Sequence, residues 1–355
     1  MTNDIGNIIH AAFLRVTGKG TGKSEIDSWI NSLQYMDRIL SDEEIPSNAG
    51  VSIEYHLPQT SKRIDFILTG EDPHHHESAV LIELKQWQKA ELTECDAIVT
   101  THFKHGERQT PHPSYQAWSY KCLLEDFNQT VQEDSIQIVP CAYLHNYEPD
   151  NVITHNFYSR YTKQAPVFLK NDALKLRSFI KENIKYGDKN QIMYRIDHGK
   201  IKPSKNLADQ LTSMLKGNEE FVLIDDQKIV FEMALGLARK STGANKQVLI
   251  VEGGPGTGKS VVAIDLLIEL TQRQLVTQYV TRNSAPRMVY EAKLTGSFNK
   301  SHISNLFCGS GSYHSVGESI FDCLIVDEAH RLNAKSGMFS HLGENQVKEI
   351  FENNL

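Results

Sequence analysis

Two groups of residues in this chain have the types and spacing to do chemistry. The first is Gly253-Gly254-Pro255-Gly256-Thr257-Gly258-Lys259-Ser260, which fits G-x-x-x-x-G-K-[ST] at every position. Glycines there let successive backbone N–H groups curl around the phosphates of a nucleotide, and the start of a following helix adds partial positive charge. Lys259 is placed to reach the β- and γ-phosphates of ATP, and Ser260 to hold Mg²⁺. About 70 residues later an apolar run ends in Asp327-Glu328-Ala329-His330. Asp327 would hold the metal through water, and Glu328 would orient an attacking water.

The second group is Asp65, Glu83 and Lys85. Glu83 and Lys85 are two apart on one predicted strand, so they share a face, and Asp65 on the preceding strand can be their cross-strand neighbour. Two carboxylates and a lysine converging in a half-buried sheet are costly unless they bind something. A divalent cation explains the carboxylates, because hard cations take oxygen ligands. One or two Mg²⁺ or Mn²⁺ ions would clamp a scissile phosphate, with Lys85 stabilising developing charge or orienting water. E-x-K by itself also fits a solvated salt-bridge face.

The elements that must position these residues follow from periodicity. Val248-Leu249-Ile250-Val251 reads as a short buried strand entering the phosphate loop, and Val261–Leu270 as the helix leaving it, with Val262, Leu266 and Leu270 on one face. Gln278–Thr281 and Phe321–Val326 are further strands. Upstream, residues 5–16 carry a helical stripe. Ser24 is the expected cap of a second helix bearing Trp29, Ile30, Leu33 and Met36. Val51–Leu57, Arg63–Leu68 and Ala79–Lys85 read as strands, and residues 86–113 as polar and irregular. Ser114 opens a helix, and Ile136–Leu144 is a core strand expected to bend at Pro140. The expected organisation is α/β: an N-terminal domain over 1–185, a linker over 186–218, and a nucleotide-binding parallel-sheet domain over 219–355.

Several signals are read as bland. Thr17–Ser24 looks like a second phosphate loop, but threonine stands where the first glycine is needed and a helical pattern precedes it. His74-His75-His76 reads as a solvated loop, because consecutive residues cannot easily aim three imidazoles at one ion. Lys104, His105 and Arg108 fit a DNA-contacting loop or a solvated charge cluster equally.

The 355 residues suit about two domains, and a net charge of −7 confines any nucleic-acid contact to local patches. The five cysteines form no C-x-x-C pair, so neither zinc nor a disulfide frame is expected. With no long apolar run and no signal peptide, a cytoplasmic protein without membrane contact is expected.

Asp327-Glu328-Ala329-His330 resembles motif II of superfamily 1 and 2 helicases, and 219–335 looks most like the helicase domain of Schlafen-type proteins. That resemblance implies a RecA-like fold. It also implies that Gln227 reads adenine and that Thr281-Arg282-Asn283 contacts single-stranded nucleic acid. A superfamily 1 motor has two RecA-like domains, and the chain ends at Leu355, so a further region or a second chain would complete it; a homo-oligomer is a separate possibility. Slow or absent hydrolysis is expected without that partner, since losing an arginine finger costs about 10³–10⁵ in rate. Asp65 with Glu83-Leu84-Lys85 resembles the PD-(D/E)xK nucleases, without the proline of their name. Their restriction-endonuclease-like α/β/α core is therefore expected. Gln116-Ala117-Trp118-Ser119-Tyr120 looks like the Q-x-x-x-Y motif of RecB-type members, with Gln116 and Tyr120 on one helix face. The same resemblance makes Glu25 and Glu54 candidate metal ligands. Together these imply a metal-dependent nuclease, acting on DNA or alternatively RNA, fused to a helicase-type ATPase and used in defence against foreign DNA. The competing reading is a nucleotide-regulated binding module whose nuclease-like fold is inactive.

Overall fold

The computed structural model describes residues 2–18, 20, 22–57, 60–103, 106–241, 245–313, 320–333 and 345–352. The chain divides into two compact units, Met1–Ser204 and Lys205–Leu355. Among the described residues no helix is long and apolar enough to cross a membrane.

The first unit opens with helices α1 (Thr2–Thr17) and α2 (Lys23–Leu40). Trp29, Leu33 and Met36 recur at helical spacing on α2 and are buried, as their periodicity predicts. The helix start differs from expectation: Gly22 is the N-cap, so Ser24 lies inside the helix rather than capping it. Strands β1 (Gly50–His56), β2 (Arg63–Glu71) and β3 (Glu77–Lys85) follow as an antiparallel meander. Next come β4 (Ala90–Leu92), β5 (Ile98–Phe103) and β6 (Gly106–Pro111), which form a separate three-stranded sheet. This corrects the irregular reading of 86–113. β6 is mostly exposed and polar, so it carries no buried alternation for a sequence pattern to show.

Helix α3 (Pro113–Phe127) and the short α4 (Gln129–Glu133) lead into β7 (Gln137–Leu144). β7 pairs parallel to β3 from Ser78↔Gln137 to Lys85↔Leu144 without a register break, so Pro140 does not interrupt the ladder. The reason is visible on the other side. The Ala142 N–H bonds the Pro166 carbonyl, and Pro140 shares its parity. Strand β8 (Val167–Leu169), after the short α5 (Ser159–Thr162), pairs only with Ala142–Leu144, so the missing N–H of Pro140 faces no partner strand. The main sheet is ordered β1-β2-β3-β7-β8. One apolar layer joins it to α2 and to α6 (Ala173–Asn183) through Met36, Ile39, Leu68, Ile82, Leu176 and Ile180. On its other face Tyr120 and Leu124 of α3 pack with Ala79, Leu81 and Ile138.

The expected linker 186–218 is ordered structure divided between the units. Helix α7 (Ile192–Asp197) buries Ile192 and Ile196 against the first unit's core, and Asp188 accepts from its Ile192 and Met193 N–H groups. Helix α8 (Leu207–Leu215) buries Leu211 and Met214 in the second unit's core. Two or three apolar residues on a short helix suffice for docking but leave the surrounding sequence polar.

In the second unit, α9 (Asp226–Lys240) and α10 (Lys259–Gln272) precede β9 (Thr277–Thr281). Helices α11 (Ser284–Leu294) and α12 (Lys300–Leu306), strands β10 (Phe307–Gly309) and β11 (Cys323–Asp327), and α13 (Gln346–Glu352) complete it. The sheet is parallel, ordered β10-β9-β11. Val248–Val251 is not in it: Val248 is 65% and Ile250 79% exposed. The expected buried strand is therefore corrected. A four-residue apolar run becomes a strand only when a neighbour completes its ladder, and among the described residues β11 pairs with β9 alone.

Candidate functional site

In the first unit, strand register brings three carboxylates into line. Ile53 faces Phe66 and Tyr55 faces Ile64, which sets Glu54 opposite Asp65. Phe66 faces Ile82, which sets Asp65 opposite Glu83. Asp65 Oδ2 accepts the Leu84 N–H at 2.7 Å. Burial raises the Asp65 pKa, opposed by Lys85 and by the Leu84 N–H. Lys85 Nζ donates to Glu83 Oε1 at 2.6 Å and sits 5.8 Å from the Trp87 ring centre. A divalent cation fits this donor set. It would set positive charge between two facing carboxylates that can both coordinate it.

Arg63, which the sequence reading missed, ties in the remaining acids. Its Nη2 lies 2.5 Å from Glu25 Oε1 in the first turn of α2, and its Nη1 3.2 Å from Glu54 Oε2. Burial and the Asp65 charge push Glu54 up to about 7, against the pull of Arg63. Glu54 also holds a left-handed φ of 55° inside its strand, a cost tolerated where surrounding structure over-determines it. A signal was present: Arg63 precedes Asp65 by two on the same strand and so shares its face. Gln116 and Tyr120 meet as their spacing predicts, Nε2 donating to the Tyr120 hydroxyl at 2.8 Å on α3.

The bland readings can be placed as well. The three consecutive histidines cap a hairpin: His74 and His76 N–H groups donate to Asp72, and His75 stacks on Tyr186. Arg108 lies on β6, while Lys104 and His105 fall outside the described residues. On the small sheet, exposed Glu91, His102 and Glu107 bring their ligand atoms within 4.8 Å of one another.

In the second unit the glycine-rich turn ends at Gly258, the N-cap of α10, with φ +79°. Gly256 is also left-handed at +75°, so this turn needs residues without a Cβ. Lys259 Nζ donates to the Gly253 and Gly254 carbonyls at 2.7 Å, and the Thr257 hydroxyl closes the turn onto Gly254. Pro255 lies between these glycines. Gln227, at the start of α9, bridges the loop: Oε1 accepts the Ile224 N–H and Nε2 donates to the Thr257 carbonyl, each at 3.0 Å. Ser260 Oγ donates to Asp327 Oδ2 at 3.0 Å, so the two residues expected to share Mg²⁺ are already joined. Glu328 takes a left-handed φ of 56° and pairs with His330 and Arg331. Arg282 Nη1 donates to the Arg331 carbonyl, and Asn283 caps α11.

Residues 246–354 match the family model described as Schlafen group 3, DNA/RNA helicase domain. The matched segment holds the glycine-rich turn Gly253–Ser260, Asp327 and Glu328, and it is similar to a Schlafen-type helicase domain. The match lies within the second unit. No curated protein and no solved structure matches the chain.

Proposed function

We propose that this chain is a metal-dependent nuclease whose cutting is gated by ATP binding in its helicase-type unit. DNA is the proposed substrate, with RNA the alternative, and Mg²⁺ or Mn²⁺ the metal. The observation that carries the reading is the Asp65–Glu83 acid pair beside Lys85, set by strand register on adjacent strands. The order of a helix, three antiparallel strands, a helix and a parallel strand supports the PD-(D/E)xK reading of the same residues. The Schlafen-type match supports nucleotide and nucleic-acid handling by the second unit. A role in defence against phage or other foreign DNA rests on analogy with nuclease–helicase fusions.

Asp65 and Glu83 would hold the ion, which supplies Lewis-acid stabilisation of the scissile phosphate and an activated water when bound. Lys85, oriented by Glu83, would donate to the phosphate oxygens as charge develops. Glu54, with a pKa near 7, would accept or release a proton at its edge. Glu25 would act at most as an outer support through Arg63.

The test is cleavage of single- and double-stranded DNA and RNA with Mg²⁺ or Mn²⁺. Wild type should cut, Asp65→Ala should not, and Lys85→Met should lose about 10²–10³ in rate, as removal of one transition-state donor does elsewhere. A wild-type protein inert with every metal and substrate, yet still binding nucleic acid, would instead establish the inactive-fold reading. Lys259→Ala should abolish nucleotide binding and keep basal cleavage.

A further inference from the structure

Tyr279 lies two residues before the end of β9, buried to 1% exposure, yet its hydroxyl reaches the nucleotide site. It donates to Asp327 Oδ2 at 2.5 Å, the same oxygen that accepts Ser260 Oγ. Asp327 Oδ1 accepts the Glu328 N–H at 3.0 Å. A carboxylate offers about four lone-pair sites, two on each oxygen. Ser260 and Tyr279 together fill Oδ2, and Glu328 fills half of Oδ1. One lone pair on Oδ1 is left to accept a hydrogen bond from water on a metal ion. Without the tyrosine, Oδ2 keeps an open site, and the carboxylate can rotate to satisfy it elsewhere. The ring is held in place by Tyr290 and Phe307, with centroids 6.1 and 5.7 Å away. Parallel register makes the reach possible: Tyr279 faces Ile325, and Asp327 is two residues further along β11.

We infer that Tyr279 is a positioning residue for the metal of the nucleotide site, acting through Asp327. This rests on the reading of Gly253–Ser260 as an ATP-binding loop. The hydroxyl donates to a carboxylate oxygen, a bond strong enough to matter when lost. Phenylalanine fills the same space, so Tyr279→Phe removes the donor and little else.

The experiment titrates Mg²⁺ against the full chain with a fluorescent ATP analogue and repeats binding in EDTA. Tyr279→Phe should raise the Mg²⁺ concentration for half-saturation about tenfold and leave affinity in EDTA unchanged. Ser260→Ala should show the same pattern, and the double variant should lose less than the sum of the two, since both donors serve one oxygen. Equal Mg²⁺ dependence in wild type and Tyr279→Phe overturns the inference alone. Equal loss with and without metal, or a protein that no longer folds, overturns it as well, by making the tyrosine structural. A wild type that binds no nucleotide under any condition sinks the nucleotide-site reading, and this inference with it.

Discussion

Asp265→Asn should stabilise the protein, and only above the acid range. Asp265 sits half-buried on α10, the helix that leaves the phosphate loop. Burial and the nearby Glu219 charge raise its pKa from 3.8 to about 7, with Lys228 pulling the other way. Lys228 is itself paired with Glu232 at 2.9 Å, which limits the help it can give. The sign follows from linkage. A raised folded-state pKa means that the folded protein holds a proton which the unfolded chain has lost. That contribution is complete below the unfolded pKa and disappears as pH rises through the folded one. A shift of about 3 units at 1.36 kcal/mol each sets an upper bound of ~4 kcal/mol, and partial solvent access reduces it to ~3 kcal/mol. Asparagine keeps the shape and never ionises. Urea or thermal unfolding of both proteins at about pH 4 and about pH 8 measures the difference. The two should unfold together at the lower pH, and the variant should gain roughly 6–12 °C at the higher one. A constant offset between them across that range would refute the reasoning, because it would leave no role for the proton.

Gly258→Ala should disable the proposed nucleotide site. An added Cβ meets Gln227 Nε2 at 2.4 Å in a left-handed backbone, so the glutamine must leave the loop. The expected result by calorimetric titration is at least a tenfold loss of nucleotide affinity, with stability lower by about 2 kcal/mol in urea melts. Arg63→Met should destabilise the protein by about 1–2 kcal/mol near pH 8, less than a fully buried pair because the guanidinium is a quarter exposed. The loss should shrink near pH 5, where Glu54 is protonated and no longer needs a cation. Thermal melts in EDTA at both pH values check this, and a pH-independent loss would remove Glu54 as its cause.

What could be seen without coordinates was local. The Gly253–Ser260 turn is written in consecutive residues, because a glycine-rich backbone, a lysine and a hydroxyl cradle phosphate over a span of eight positions. Glu83 and Lys85 share a face through the two-residue period of a strand, and Gln116 and Tyr120 through the helical one. Both pairs meet in the structure. Ends and partners were less legible. Helix α2 begins at Lys23 rather than being capped by Ser24, and the short strands β4 to β6 hide in a stretch with no regular apolar alternation.

The sequence by itself determined which residues make up the two candidate sites: an acid pair with a lysine, and a glycine-rich turn with an Asp-Glu pair after it. Only the tertiary structure decided which groups stand beside them. Antiparallel register set Glu54, Asp65 and Glu83 in one row, and burial there raised the pKa of Asp65. Arg63 became the counter-charge of Glu25 and Glu54, and Tyr279 the second donor to Asp327. Val248, Ile250 and Val251, apolar enough for a core strand, stayed exposed, and Pro140 stayed within an unbroken ladder. The physical reason is common to all of them. A strand's neighbours come from distant parts of the chain, and a residue's charge, proton and burial belong to those neighbours as much as to itself.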